Sequence, residues 1–242
     1  MSHAFTSGQR GALNTATPTP RPGRHRHAWP RTLLIVFALF WLALAIRPWF
    51  RQDWLLENLV VFVVVPLFAF TSKRLRFSNL AYTLLFVFLC VHEIGAHYTY
   101  SLVPYDKAVQ ALTGQSLDAL LGLRRNHFDR LVHFLFGLLL LPLAVELFQA
   151  QAPPRGVWQW LMPVLFLQGL SATYELIEWL AASVFGGDLG QAYVGTQGDV
   201  WDAQRDMALA LLGAVIAQLI LMLCRGIRGG VPDRRAGHAE RP

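Results

Sequence analysis

The sequence predicts an all-α fold, a polytopic membrane helix bundle of about six transmembrane helices. Three observations carry that prediction. Of the 242 residues, 54% are hydrophobic and only 15% charged, with a mean hydropathy of +0.38. That is too apolar for an ordinary soluble domain. Six apolar segments can be drawn, at residues 32–48, 54–70, 80–100, 128–148, 157–185 and 200–224. Finally, Lys and Arg divide unevenly between the two sides that six spans would create, as the positive-inside rule requires.

Residues 1–31 form a polar, basic leader. Pro18, Pro20, Pro22 and Gly23 break any helix there, so a disordered cytoplasmic segment is expected. No small-residue cleavage motif follows the first apolar run, which therefore reads as a retained anchor. Segments one and two fall short of the roughly 20 residues that a span needs. Arg47, Arg51, Asp53 and Glu57 crowd their junction, which suggests a tilted or partly re-entrant pair. Segments three to six meet the length requirement. The connection 101–127 places Leu117, Leu120 and Leu121 at helical spacing between Gly114 and Gly122, a short helix lying on the outer surface. The Gly-rich stretch 186–199 could cover a cavity. Residues 32–224 thus form the membrane domain and 225–242 a basic cytoplasmic tail.

Under this topology, fourteen of the 21 Lys and Arg residues share one side, including Arg10, Arg31, Lys73, Arg74, Arg155 and Arg225. The other side holds seven: Arg47, Arg51, Lys107, Arg124, Arg125, Arg130 and Arg205. The positive-inside rule places both termini in the cytoplasm. The net charge of +6 reads as this topology signal and not as a nucleic-acid surface. Cys90 and Cys224 lie in or beside apolar runs without a metal-type neighbour, and read as packing residues.

The ionisable residues inside the spans carry the functional argument. Glu93 and His97 are i, i+4 neighbours on segment three, with His92 about 100° away around the helix. Asp129, Arg130 and His133 form a stripe on segment four, and Gly137 continues it. Glu175 and Glu178 share a face of segment five. Asp202 and Asp206 share one on segment six, preceded by Asp199 and continued by Gly213. Counted from the outer helix ends, all lie within roughly 15 Å of the outer interface. Intramembrane carboxylates are costly and mark a site by default. Taken singly, each has a structural explanation. Asp199 could be an N-cap, Asp129 could pair with Arg125 or Arg130, and Asp202 could pair with Arg205. Four helices converging on one layer favour a site.

Carboxylates and histidine without cysteine suit a divalent cation such as Zn, Mn, Fe or Mg. The candidate ligands are Glu93, His97, Asp129, His133, Asp202 and Asp206. Glu175, Glu178, Asp202 and Asp206 are the candidate catalytic groups, and Arg125, Arg130 and Arg205 could hold a phosphate or another anion. No HExxH or Glu-x-x-His pair is present. The leading expectation is a metal-dependent membrane enzyme acting on a lipid-linked or envelope substrate from an outward-facing pocket. A proton- or cation-coupled transporter and a non-catalytic scaffold are the alternatives. A transporter should carry polar residues on to the inner side, where these segments are nearly all apolar.

Four motifs also carry a resemblance. They are His92-Glu93-Ile94-Gly95-Ala96-His97-Tyr98, Arg125-Asn126-His127-Phe128-Asp129-Arg130, Tyr174-Glu175-x-x-Glu178-Trp179, and the run from Gly195 to Met207 with Asp199, Asp202 and Asp206. In this order, over about residues 30–224, they resemble the bacterial YjdF-like inner-membrane family, a domain of unknown function. The resemblance implies an inner-membrane location and adds no mechanism. A more distant similarity is to VanZ-type membrane proteins, associated with glycopeptide resistance. Their Arg-then-Asp spacing is not matched, and no resistance role is carried over.

Overall fold

The computed structural model describes residues 28–72, 74–185 and 196–229. Eight α-helices occur among them, and no strand. They are α1 (Ala28–Leu44), α2 (Arg51–Thr71), α3 (Asn79–Tyr98), α4 (Tyr105–Thr113), α5 (Leu117–Leu121), α6 (Phe128–Gln151), α7 (Trp158–Phe185) and α8 (Asp202–Gly229). A 3-10 turn, Tyr100–Leu102, follows α3. Helices α2, α3, α6 and α8 (through Cys224) are long and apolar enough to cross a membrane, and α1 is a shorter apolar helix. At 28 residues α7 has the length, but Gln168, Glu175 and Glu178 lower its hydropathy.

Two boundaries differ from expectation for one reason. Helix α1 begins at Ala28, inside the stretch assigned to the leader, and Trp29 donates through Nε1 to Thr83 Oγ1 of α3 at 3.0 Å. Helix α2 is one continuous 21-residue helix and not a re-entrant stub. Its polar first turns are buried: Asp53 and Glu57 face protein, so they need no exit to the interface. Residues 1–27 of the leader, residues 186–195 of the Gly-rich stretch and the tail after Gly229 lie outside the described residues, while α8 continues to Gly229, into the stretch assigned to the tail.

Polar groups at the helix ends are satisfied locally. Ser78 caps α3, its Oγ accepting from the Ala81 N–H at 3.1 Å. The same serine donates its N–H and hydroxyl to the Glu146 carboxylate of α6, both at 2.6 Å. Glu146 thereby ties α6 to the start of α3. In the connection between α3 and α6, Asp106 accepts from Ser116 Oγ and from the Asp118 N–H at 3.0 Å, folding α4 onto α5. Leu112, Leu120 and Leu121 are left exposed, as befits a hairpin lying on a membrane surface.

The closest helix pair is α6 and α8. A Cβ on Gly137 would lie 1.9 Å from Ala210 O, and one on Gly213 would lie 2.1 Å from Phe134 O. Each glycine admits the other helix's backbone, the small-residue contact that membrane helices use. Helix α3 packs on α1, α2 and α6, while α7 packs on α6 and α8. Pro66, Pro142 and Pro163 sit inside α2, α6 and α7.

Candidate functional site

The Gly137–Gly213 crossing brings the first turns of α6 and α8 side by side. Ligand-type atoms of Asp129, His133 and Asp206 all lie within 4.8 Å of one another. His133 and Asp206 are buried and Asp129 nearly so. From α7, Glu175 Oε1 approaches His133 Nε2 to 3.4 Å, while Asp129 Oδ1 lies 3.7 Å from that nitrogen. Glu178, one turn on from Glu175, is buried within electrostatic reach of Asp129, Glu175 and Asp206. Three of the expected four helices therefore meet, with five of the expected acids and histidines.

Asp202 sits at the rim of this group and faces arginine. Arg125 NH2 is 2.8 Å from its Oδ1, and Arg130 NH2 is 3.4 Å from the same oxygen. Asp199 binds Arg130 and Arg205, with Arg125 at 3.5 Å. Its other oxygen accepts the Trp201 N–H at 3.1 Å, so Asp199 caps the chain and holds guanidinium together. Burial alone would raise its pKa. The Trp201 N–H and the Arg205 and Arg130 guanidiniums outweigh that and hold it below the ordinary value. The pairing is crossed relative to expectation: Asp202 takes Arg125 and Arg130, Arg205 takes Asp199, and Asp129 takes His133. An anion at Arg125, Arg130 and Arg205 would compete with these carboxylates.

The loops carrying these arginines are zipped together. The Asn126 N–H donates to Gln197 Oε1, and Gln197 Nε2 returns a bond to Asn126 O, both at 3.0 Å. Arg125 NH1 donates to Thr196 O at 2.8 Å, and Asn126 Nδ2 to Val103 O at 2.8 Å. These contacts account for much of the Arg125–Asn126 and Thr196–Gln197 motif chemistry.

Glu93 and His97 do not join the group. His97 Nδ1 bonds to Leu44 O at the end of α1 at 2.7 Å, and the buried Glu93 carboxylate lies beside Asn58 of α2. Helix α3 presents His92 to the cavity instead. The His92 Nε2–Glu57 O contact is 3.2 Å, and a carbonyl only accepts, so Nε2 carries the proton. Nδ1 is then the acceptor for the Tyr100 hydroxyl. The Tyr100 ring lies against Gly95, where a Cβ would fall 2.7 Å from it.

Sequence reasoning missed the α2 contribution. Glu57 Oε2 accepts from Tyr174 of α7 at 2.7 Å, and Asp53 Oδ2 accepts from Thr99 at 3.2 Å. Asn58 accepts from Trp41 of α1. The signal was present: Asp53 and Glu57 are i, i+4 neighbours leading into an apolar run, the pattern used to find the other pairs.

A cavity of about 450 Å³ lies between α2, α3, α6 and α7. Its walls are mainly apolar, with His92, Tyr100, Asp129, His133, Ser171, Thr173 and Tyr174 supplying the polar lining.

The model of a family of predicted membrane proteins, DUF2238, matches residues 29–226. The chain belongs to this family. It is 38% identical to the inner membrane protein YjdF of Escherichia coli (strain K12) over 182 residues, covering 74% of this chain and 82% of that protein. No solved structure matches. The DUF2238 region takes in every residue of the Asp129–His133–Asp206 group and its arginine rim.

Proposed function

We propose that this membrane protein binds a divalent metal at Asp129, His133 and Asp206 and uses it to process a lipid-linked or envelope substrate. One observation carries the reading: three ligand-type side chains from two helices converge within 4.8 Å in a buried layer. Two carboxylates and one imidazole suit Zn, Mn, Fe or Mg. Three protein ligands leave coordination positions free, the pattern of a catalytic site. A metal bound there would supply Lewis acidity and an activated water.

The chain's own groups would do the rest. Glu175 is within reach of His133 and serves as the acid–base group. Glu178 supports Glu175, and Asp202 orients Arg125 and Arg130. Arg125, Arg130 and Arg205 form the edge at which a phosphate would meet the protein. Glu93 and His97 are left a packing role between α3, α2 and α1.

In this reading both termini are cytoplasmic and this layer faces outward, in line with the positive-inside rule. The inner-half core supports an enzyme over a through-path. Leu141, Ala144, Val145, Val164, Leu167, Ala214 and Ala217 pack together there, and Gln218 is the buried polar residue beside them.

Metal analysis of protein purified in detergent tests the reading. Wild type should retain metal stoichiometrically, while Asp206→Asn and His133→Gln should lose it. Equal metal in all three, or none in any, overturns it. Lipid extracts from cells carrying wild type, Asp206→Asn or no protein test the enzyme step. The last two should share an accumulated species, and three identical profiles would remove the enzymatic role.

A further inference from the structure

The cavity has a side entrance. Helix α2 packs on α3, and α7 packs on α6 and α8. Between α2 and α7 several apolar residues that line the cavity are not covered. Leu59 is 53% exposed and Val63 65%, on α2, and Leu170 is 44% and Ile177 48%, on α7. All four line the cavity. Exposed apolar residues on spanning helices face hydrocarbon, so this gap opens sideways into the bilayer. The hydrogen bond from Tyr174 to Glu57 crosses from one post to the other.

We infer that one hydrocarbon chain of a bilayer lipid enters this cavity sideways between α2 and α7, with its polar end at Asp129 and His133. Three features select that occupant. At the depth of the gap, the molecules available are lipid chains. The cavity is amphipathic in the same sense as a lipid, with exposed apolar residues at the entrance and Asp129 and His133 in its lining. Its volume of about 450 Å³ falls within the roughly 300–1,000 Å³ of small-molecule pockets.

A chain moving from lipid into an apolar slot gains little from the hydrophobic effect, because both surroundings are apolar. Selection therefore rests with the head group, where charge and hydrogen bonding are available. This deepens the reading above and depends on it only for what happens to the head group.

The test uses the full-length protein in phospholipid nanodiscs containing a phospholipid with a diazirine in its acyl chain. After irradiation, adducts are mapped by mass spectrometry. Phe88 and Val132 line the cavity but are only 8% and 6% exposed, so bulk lipid cannot label them. Both should carry adducts. Val60→Trp, which fills the slot from α2, should lower these adducts about tenfold. Leu170→Trp, at the exposed post on α7, is a second obstruction that a folded protein tolerates and should act likewise. Labelling at Leu219, exposed on α8 away from the cavity, should not change. Asp206→Asn should lose metal and keep the Phe88 and Val132 adducts, which separates failure of the metal reading from failure of this one. Absence of adducts at Phe88 and Val132, or adducts that persist in both tryptophan variants, overturns the inference.

Discussion

Gly137→Ala is the smallest change that should disable the candidate centre without touching a ligand. The added Cβ would sit 1.9 Å from Ala210 O and 2.6 Å from Ala214 N, whereas ordinary contact begins near 3.4 Å. Both obstacles are backbone atoms of α8, so no side chain can rotate away. The helices must separate locally by about 1.5 Å to restore contact distance. Overpacking of this kind costs about 1–3 kcal/mol, and each kcal/mol lowers Tm by roughly 2–4 °C in a chain of this size. Asp129 and His133 lie on one side of the crossing and Asp206 on the other, so the same separation spreads the ligand set. Metal affinity should fall ~10–100-fold, the loss typical of disturbed ligand orientation. Thermal unfolding in detergent reads the first effect, and metal titration of the purified protein reads the second. Gly213→Ala meets Phe134 O at 2.1 Å across the same contact and should behave alike. The double variant should cost less than the two single effects combined, because one separation relieves both clashes. A Gly137→Ala protein with wild-type Tm and metal affinity would refute the close crossing and the centre built on it.

Three further outcomes are expected. Gly95→Ala places a Cβ 2.7 Å from the Tyr100 ring, so it should displace the Tyr100–His92 bond and cost about 1–3 kcal/mol by thermal unfolding, with metal binding retained. Glu146→Ala removes both acceptors from Ser78 and should cost about 1 kcal/mol, with faster hydrogen exchange confined to the first turn of α3. Asp106 is held below its ordinary pKa, first by the Asp118 N–H and then by Ser116 and the Leu117 N–H, against the opposing effect of burial. Its folded pKa lies below the unfolded 3.8. The stabilisation of the α4–α5 hairpin is therefore present above that value and lost as pH falls through the folded pKa. Exchange protection of residues 105–121 should drop below about pH 4 and should be pH-independent over that range in Asp106→Asn.

The bundle was legible from composition and segment length because every span must satisfy its backbone internally, which leaves helix as the available form. The meeting of Asp129, His133, Glu175 and Asp206 was legible because successive spans alternate in direction, which puts the start of α6, the end of α7 and the start of α8 at one level independently of these residues. Helix period shows which side chains share a face, but not which neighbour that face meets. On α3 the period grouped Glu93 with His97 and set His92 apart. Packing then turned the first two toward α2 and α1 and gave His92 to the cavity. In the sequence Asp53 and Glu57 fall at the junction of two short segments, which points to a tilted or partly re-entrant pair. The second segment reads as short because charges end a lipid-facing run, but they do not end a helix whose charged side faces protein.

The interior prolines of α2, α6 and α7 give the cavity's walls unequal stiffness. Each lacks an N–H, which frees the carbonyls of Phe62, Leu138 and Gln159 from their helical bonds. Helix α3, the fourth wall, carries no proline from Asn79 to Tyr98 and is braced at both ends, by Glu146 at Ser78 and by Asp53 at Thr99. Three walls thus have a built-in joint, while the fourth is a fixed post. A bend at Pro142 would leave Asp129 and His133 together, because Pro142 lies more than two turns from His133 on α6. The prolines set the places where the cavity walls would yield apart from the polar layer.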